Sequence, residues 1–181
     1  DLPVVYLEHN APQGRVSEMR HPAADREDLV VVHVTHFNDL FWDCGTTRTR
    51  VIEHGIVDPG YRYGGELGGA AVVLNEAVRR GRVTGTDLLA RLGAHVPLDL
   101  FGMGAEQLAG TPGLRSAQDL PQDRLHTEMP RRRLYLHPVR WTSLGLSLLE
   151  AMHLGMPVVG LATTEVVEAV PPEAGVLSTR V

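Results

Sequence analysis

The sequence predicts an α/β protein built on a doubly wound parallel sheet. Two observations carry this expectation. Short runs rich in Val and Leu recur along the 181 residues, continuously apolar rather than alternating, as strands buried on both faces of a parallel sheet are. Between them lie stretches with helical spacing and stop signals, so the chain reads as repeated strand–helix–strand units. Apolar residues at 43% and charged residues at 22% exclude wholesale disorder. The length suffices for one substantial core or two small lobes.

The predicted strands of the first third are residues 4–7, 29–34 and 51–52. Residues 71–74, 98–101, 134–136 and 158–161 follow as strands of a second group. Thr86-Asp87 offers a helix N-cap before Leu88, Leu89 and Leu92, with Gly93 near that helix's end. Ser147 is placed to cap a helix over residues 148–154, which Gly155 and Pro157 terminate. Phe37, Phe41 and Trp42 lie on an expected helix as core residues. Residues 112–130 are polar and read as a loop or short helix.

A boundary falls in residues 58–69, DPGYRYGGELGG, where Gly, Pro and turn formers concentrate. Gly64-Gly65 and Gly68-Gly69 suggest a phosphate loop. Such a loop follows a strand and opens a helix, however, whereas this one precedes the strand at 71–74, so it reads as a linker. The expected division is 1–57, the end of one Rossmann-like lobe; 58–69, a hinge; and 70–181, a second such lobe.

Composition removes several function classes. A formal charge of -5 provides no basic footprint for nucleic acid. No apolar run approaches the roughly 18–20 residues that span a bilayer, and no signal-peptide pattern is visible. Cys44 is the one cysteine, so an internal disulfide and a multi-cysteine zinc site are excluded, and a reducing, cytoplasmic setting fits. All seventeen basic residues are Arg. Schiff-base chemistry and a Walker-type lysine are therefore ruled out, and any bound anion must meet an arginine or a charged histidine. His33 and His36, three apart on an expected strand, point to opposite faces and do not converge on a metal. Arg131–Arg133 reads as a solvated turn or a phosphate contact. The start at Asp1, directly before an apolar run, and the end at Val181 lead us to expect further chain at both ends.

The most informative stretch is residues 134–170, LYLHPVRWTSLGLSLLEAMHLGMPVVGLATTEVVEAV. An expected strand runs into a loop bearing His137, Pro138, Arg140, Thr142 and Ser143, and a turn at Gly145 opens a helix. In open α/β sheets ligands sit beyond the carboxyl ends of the strands. Free N–H groups and the positive dipole end at a helix start suit a diphosphate. Glu150, about one turn into the helix, is either a solvated glutamate or a carboxylate able to accept two ribose hydroxyls. His137 is equally open between loop packing and ligand contact.

This stretch resembles the donor-site signature of family 4 glycosyltransferases of the GT-B fold, roughly P-S-x-x-E-G-F-G-L leading into L-E-A-M-A-x-G-x-P-V-V. Leu149 to Met152 and Gly155 to Val159 match the second part closely, and Ser143-Leu144-Gly145-Leu146 occupies the Gly-Phe-Gly-Leu position. Of the family's Gly-Gly-x-x-Glu, placed at residues 164–168, only Glu168 matches. Weaker echoes are VIEHGIVD at 51–58, similar to a hinge strand with His54 in place of Asn; residues 71–89, similar to the first donor-lobe strand and helix; Gly102-Met103-Gly104, similar to a G-x-G turn; and VVYLEHNAP at 4–12, similar to the acceptor-lobe strand carrying a histidine near the reacting sugar, here His9.

The resemblance implies a two-lobed GT-B fold and transfer of a sugar from a nucleotide-diphosphate sugar to a sugar, lipid or small-molecule acceptor, with retention of anomeric configuration and without a metal or cofactor. It implies that Ser143, Leu144, Gly145 and Leu146, with Arg79, Arg80 or Arg82, hold the diphosphate. Glu150 would hold the ribose, Thr142 and His137 the sugar side, and His9 would act at the reaction centre. It also implies a cytoplasmic protein, with a peripheral membrane position as an option, and no turnover by this chain alone. Two departures matter. The first of the family's paired glutamates falls on Thr142, and the lysine of its Lys-Gly pair falls on Thr84, with Arg82 as the nearest replacement charge. A nucleotide-sugar epimerase or hydrolase would need a further acid/base carboxylate in the first lobe. A non-catalytic nucleotide-sugar or glycan-binding module fits the two lost charges.

Overall fold

A computed structural model describes residues 2–181, whose contacts group into two compact units: residues 2–55 with Thr142–Leu144, and Ile56–Trp141 with Gly145–Val181.

The first unit holds a three-stranded parallel sheet. Its elements are β1 (Val4–Glu8), β2 (Leu29–His33), helix α1 (His36–Phe41) and β3 (Arg48–Val51), with strand order β1-β2-β3. The central strand β2 is buried along nearly its whole length, and Leu29 and Val31 pack with Ala23, Cys44 and the half-buried Trp42. Thr35 caps α1, its hydroxyl accepting from Asn38 N at 3.1 Å. Phe37 is buried against Phe41, ring centroids 4.7 Å apart, as core packing predicts. Strand β3 begins three residues earlier than expected, because its alternating RTRV is a sheet-edge pattern rather than an apolar run.

The second unit holds a six-stranded, all-parallel sheet. In chain order it comprises β4 (Leu67–Val73), α2 (Ala77–Arg80), α3 (Leu89–Gly93), β5 (Leu98–Phe101), β6 (Leu114–Gln118), α4 (Gln122–Glu128), β7 (Arg132–His137), α5 (Leu146–His153), β8 (Val158–Leu161), α6 (Val166–Ala169) and β9 (Gly175–Ser178). Strand order is β6-β5-β4-β7-β8-β9, which is 3-2-1-4-5-6 counted within the unit. This is the doubly wound order, and its direction reverses between β4 and β7. One face of the core packs Ala70, Val72, Leu74, Leu89, Leu98 and Leu100 into a buried cluster.

Several expectations change here. Gly68 and Gly69 are not linker but the bulged start of β4, where the register against β7 shifts. Gly69 adopts φ +119, and a Cβ there would stand 2.5 Å from the Pro97 carbonyl. The polar stretch after residue 112 contains the edge strand β6 as well as helix α4. Neither Thr86 nor Ser147 acts as a cap. Thr86 Oγ1 donates to Ala77 O at 2.7 Å, and Ser147 Oγ lies 2.9 Å from the Tyr135 hydroxyl. The end of α5 follows its sequence signal closely. Gly155 takes φ +86, its N–H donates to Met152 O at 2.9 Å, and Met156 N–H donates to Ala151 O at 2.9 Å. These are the two bonds of a Schellman motif.

Arg132 is buried rather than solvated, which overturns the solvated-turn reading for that residue. It lies at the start of β7 and its Nε donates to Asp99 at 2.7 Å. Asp99, 1% exposed in the middle of β5, also accepts from Arg115 Nε at 3.0 Å and from Ser116 Oγ at 2.7 Å. Burial pushes this carboxyl up, but the bonds from Arg115, Arg132 and Ser116, with the Arg132 charge, outweigh it and hold the pKa at about 2.

Candidate functional site

A doubly wound sheet places ligands beyond the carboxyl ends of its strands, where the order reverses. Two loops meet there: the one after β4, leading through α2 and the turn at Gly81–Val83, and the one between β7 and α5. Backbone bonds knit them together. Arg140 N and Trp141 N both donate to Val83 O, at 2.9 and 3.2 Å. Gly85 sits at φ +77, where a Cβ would collide with the Pro138 carbonyl. Position 85 therefore has a physical reason to be glycine: only a residue without a Cβ fits beneath the β7–α5 loop.

Thr84, the residue before it, offers no charge and faces inward. Thr84 is 1% exposed, and its hydroxyl donates to Gly81 O at 3.1 Å and meets Thr86 Oγ1 at 2.9 Å. The charge on this side of the site comes from arginines. Arg79 is largely exposed and paired with Glu76, and Arg80 begins the turn into Gly81–Val83. Arg82 Nη1 reaches Asp87 Oδ2 at 3.2 Å. Arg140 binds the same carboxylate with both terminal nitrogens, Nη1 to Oδ1 at 2.5 Å and Nη2 to Oδ2 at 3.1 Å. Its Nη1 also donates to the Arg82 carbonyl at 3.0 Å. These bonds, chiefly the one from Arg140, hold the Asp87 carboxyl below its usual range.

On the other flank, Gly145 forms the N-cap of α5 and offers no side-chain acceptor to the first-turn N–H groups of Leu146 and Ser147. His137, at the end of β7, is 1% exposed and packs beneath this cap, so a Cβ on Gly145 would lie 3.1 Å from its Cε1. Its Nδ1 is 3.5 Å from the Tyr135 hydroxyl, while its Nε2 is buried without a hydrogen-bond partner. Burial lowers its pKa to about 4, so the ring is neutral at ordinary pH.

Glu150 is not a solvated helix residue. It is 8% exposed, and its Oε1 accepts from Gln122 Nε2 at 2.7 Å. His126 Nε2 stands 3.4 Å from the same oxygen, near enough for an ion pair but out of line for a hydrogen bond. Helix α4 thus orients this carboxylate.

Within the second unit His137, Gly145 and Leu146 lie together at the β7–α5 junction, Glu150 lies about one turn into α5 against α4, and Arg79, Arg80 and Arg82 lie on the segment after β4. Thr142, Ser143 and Leu144 group with the first unit, where Ser143 Oγ donates to the His9 carbonyl at 2.7 Å. The His9 ring stacks on His54 with centroids 5.4 Å apart. Sequence reasoning assigned no site role to Arg140, Asp87, Gln122 or His126. Arg140 had a usable signal, a lone cation in the loop already singled out; the other three are ordinary surface residue types until the chain folds. Among the described residues no group of three or more His, Cys, Asp or Glu is placed to hold a metal ion. No described helix is long and apolar enough to cross a membrane.

No family model matches the sequence, and no curated protein matches it either. Solved structures do share its fold. The sucrose-phosphate synthase of Thermosynechococcus elongatus superposes with a TM-score of 0.64 at 18% identity, over 82% of this chain and 44% of that one. TarM gives a TM-score of 0.63 at 14% identity over 96% and 39% of the two chains. The pneumococcal O-GlcNAc transferase GtfA, solved with UDP and GlcNAc, gives 0.56 at 12% identity over 88% and 37%. The chain spans less than half the length of each of these proteins. The fold is therefore the α/β, GT-B architecture of glycosyltransferases.

Proposed function

We propose that this chain carries the donor-binding unit of a glycosyltransferase that moves a sugar from a nucleotide-diphosphate sugar to a sugar, lipid or small-molecule acceptor, with retention of configuration. The observation that carries the reading is Glu150. It is a buried carboxylate held by a neighbouring helix, on the helix that begins at the point of sheet reversal and within the sequence match to the family's ribose-binding glutamate.

In this reading the uncapped start of α5 at Gly145 and Leu146 receives the diphosphate, with arginine support from Arg79, Arg80 or Arg82. As the leaving group departs, its growing charge is stabilised by these fixed dipoles and cations. Thr142 and His137 are assigned to the sugar side on resemblance alone, and His137, buried beneath Gly145, reaches no ligand unless that cap shifts. His9, carried by the first unit, enters as the residue near the reacting sugar on resemblance alone.

Titration calorimetry against the nucleoside diphosphates of each common base, and their sugars, tests the proposal. Binding of at least one is expected, with Glu150→Gln weakening it about 10- to 100-fold, the loss of charged hydrogen bonds worth about 1.5–3 kcal/mol. An unchanged affinity in a folded Glu150→Gln protein removes the ribose assignment.

A second reading, a non-catalytic nucleotide-sugar or glycan-binding module, is favoured by one observation. Thr142 has no charge, and Thr84 is buried and satisfied within its own turn. Affinity for the nucleotide sugar without slow hydrolysis or transfer, even when an extended chain is supplied, would select it.

A further inference from the structure

We infer that Arg140 and Arg82 form a two-arginine diphosphate clamp that Asp87 occupies in the absence of ligand, so that Asp87 acts as a built-in competitor of the donor. The inference rests on the donor-binding reading above and names the residues that replace the family's missing lysine charge.

Three observations support it. The first is position: Arg140 follows β7 and Arg82 follows β4, the two strands that flank the sheet's reversal. The second is geometry. Arg140 presents both terminal nitrogens to one carboxylate, the fork-to-fork arrangement in which guanidinium also grips a phosphate. Arg82 joins from the opposite loop, so two cations face one anion and the cluster keeps a surplus positive charge. The third is placement of the backbone. Arg140 is fixed by its N–H to Val83 O and by its side chain to Arg82 O, so its guanidinium stays in place when the carboxylate moves away. Arg82, 77% exposed along its side chain, is free to follow the ligand. Asp87 is 37% exposed at its side chain and belongs to a short 3-10 turn, with room to swing outward.

A diphosphate carries more charge and more acceptor oxygens than a carboxylate, so it outcompetes Asp87 for the pair. A purely structural staple makes the opposite prediction for loss of Asp87, and that difference in sign is the test. Three variants, Asp87→Asn, Arg140→Gln and Arg82→Gln, are titrated with inorganic pyrophosphate and with nucleoside diphosphates, after thermal melts confirm folding. Asp87→Asn is expected to tighten both probes about 5-fold or more, Arg140→Gln to weaken them about 10-fold, and Arg82→Gln to weaken them less. Should Arg140→Gln fail to fold, the exposed Arg82→Gln with Asp87→Asn decides the matter. Unchanged or weaker binding by folded Asp87→Asn overturns the clamp. Nucleotide binding that depends on Glu150 but not on either arginine also overturns it, and leaves the donor-binding reading standing. Pyrophosphate binding with the expected pattern, but no nucleotide binding, keeps the clamp and removes the donor reading. Binding of neither probe overturns both.

Discussion

Replacing Asp99 by Asn removes the hub of a buried ion network while preserving its shape. A carboxyl held at about 2 instead of 3.8 makes the charged form worth on the order of 2 kcal/mol to the fold at neutral pH. Arg115 is 40% exposed at its side chain, so solvent screening trims its share. Arg132, by contrast, is 8% exposed, and after the substitution its remaining ion-pair partner among the described residues is Glu128, at 3.2 Å. The expected loss is about 2 kcal/mol, or about 4–8 °C in the melting temperature of a domain this size. The sign with pH follows from the lowered pKa. The stability is fully present above the unfolded-state value of 3.8 and disappears as pH falls through about 2. The gap between wild type and Asp99→Asn should therefore be constant above about pH 5 and close on acidification. Urea titrations in a Trp42→Phe background, where Trp141 alone reports on the second unit, measure this gap. A loss below about 0.5 kcal/mol, or a gap that persists at pH 2, refutes the reasoning.

Two further outcomes are expected. Gly85→Ala combines a left-handed backbone with a collision against the Pro138 carbonyl, so it should lower stability by more than about 1 kcal/mol and weaken diphosphate binding, as melts and calorimetry will record. His137, with its pKa lowered to about 4 by burial, should stay neutral in NMR titrations down to about pH 5. Because the unfolded chain protonates near 6.5, this histidine costs stability as pH falls from 6.5 toward 4, a window above that of Asp99. A His137 resonance that titrates near 6.5 contradicts its burial.

The fold was legible where burial leaves apolar runs, as in β2, which is buried along nearly its whole length, and in β5 apart from Asp99. Strands β6 and β9 left no such mark, because they are the two edges of the larger sheet and their residues are half exposed. Glycines at 68 and 69 read as a linker, since nothing in one sequence distinguishes a turn glycine from a glycine in a bulged strand. Cap assignments at Thr86 and Ser147 failed for a shared reason. Each hydroxyl found a tertiary partner, Ala77 O and the Tyr135 hydroxyl, that local pattern cannot reveal. Asp99 did leave a trace: a lone carboxylate inside LDLF requires a buried cation, and the Arg131–Arg133 run supplies one. In the candidate site, residue types and their loops were readable from 134–170. Pairings such as Gln122 with Glu150, or Arg140 with Asp87, are long-range and emerged only from the folded chain.

The central claim is tested most directly by a crystal structure of this chain with a bound nucleoside diphosphate. The ribose is expected on Glu150 and the diphosphate between the Gly145–Leu146 helix start and Arg140, beyond the ends of β4 and β7. A nucleotide seated away from Glu150 and from the Gly145–Leu146 helix start contradicts it.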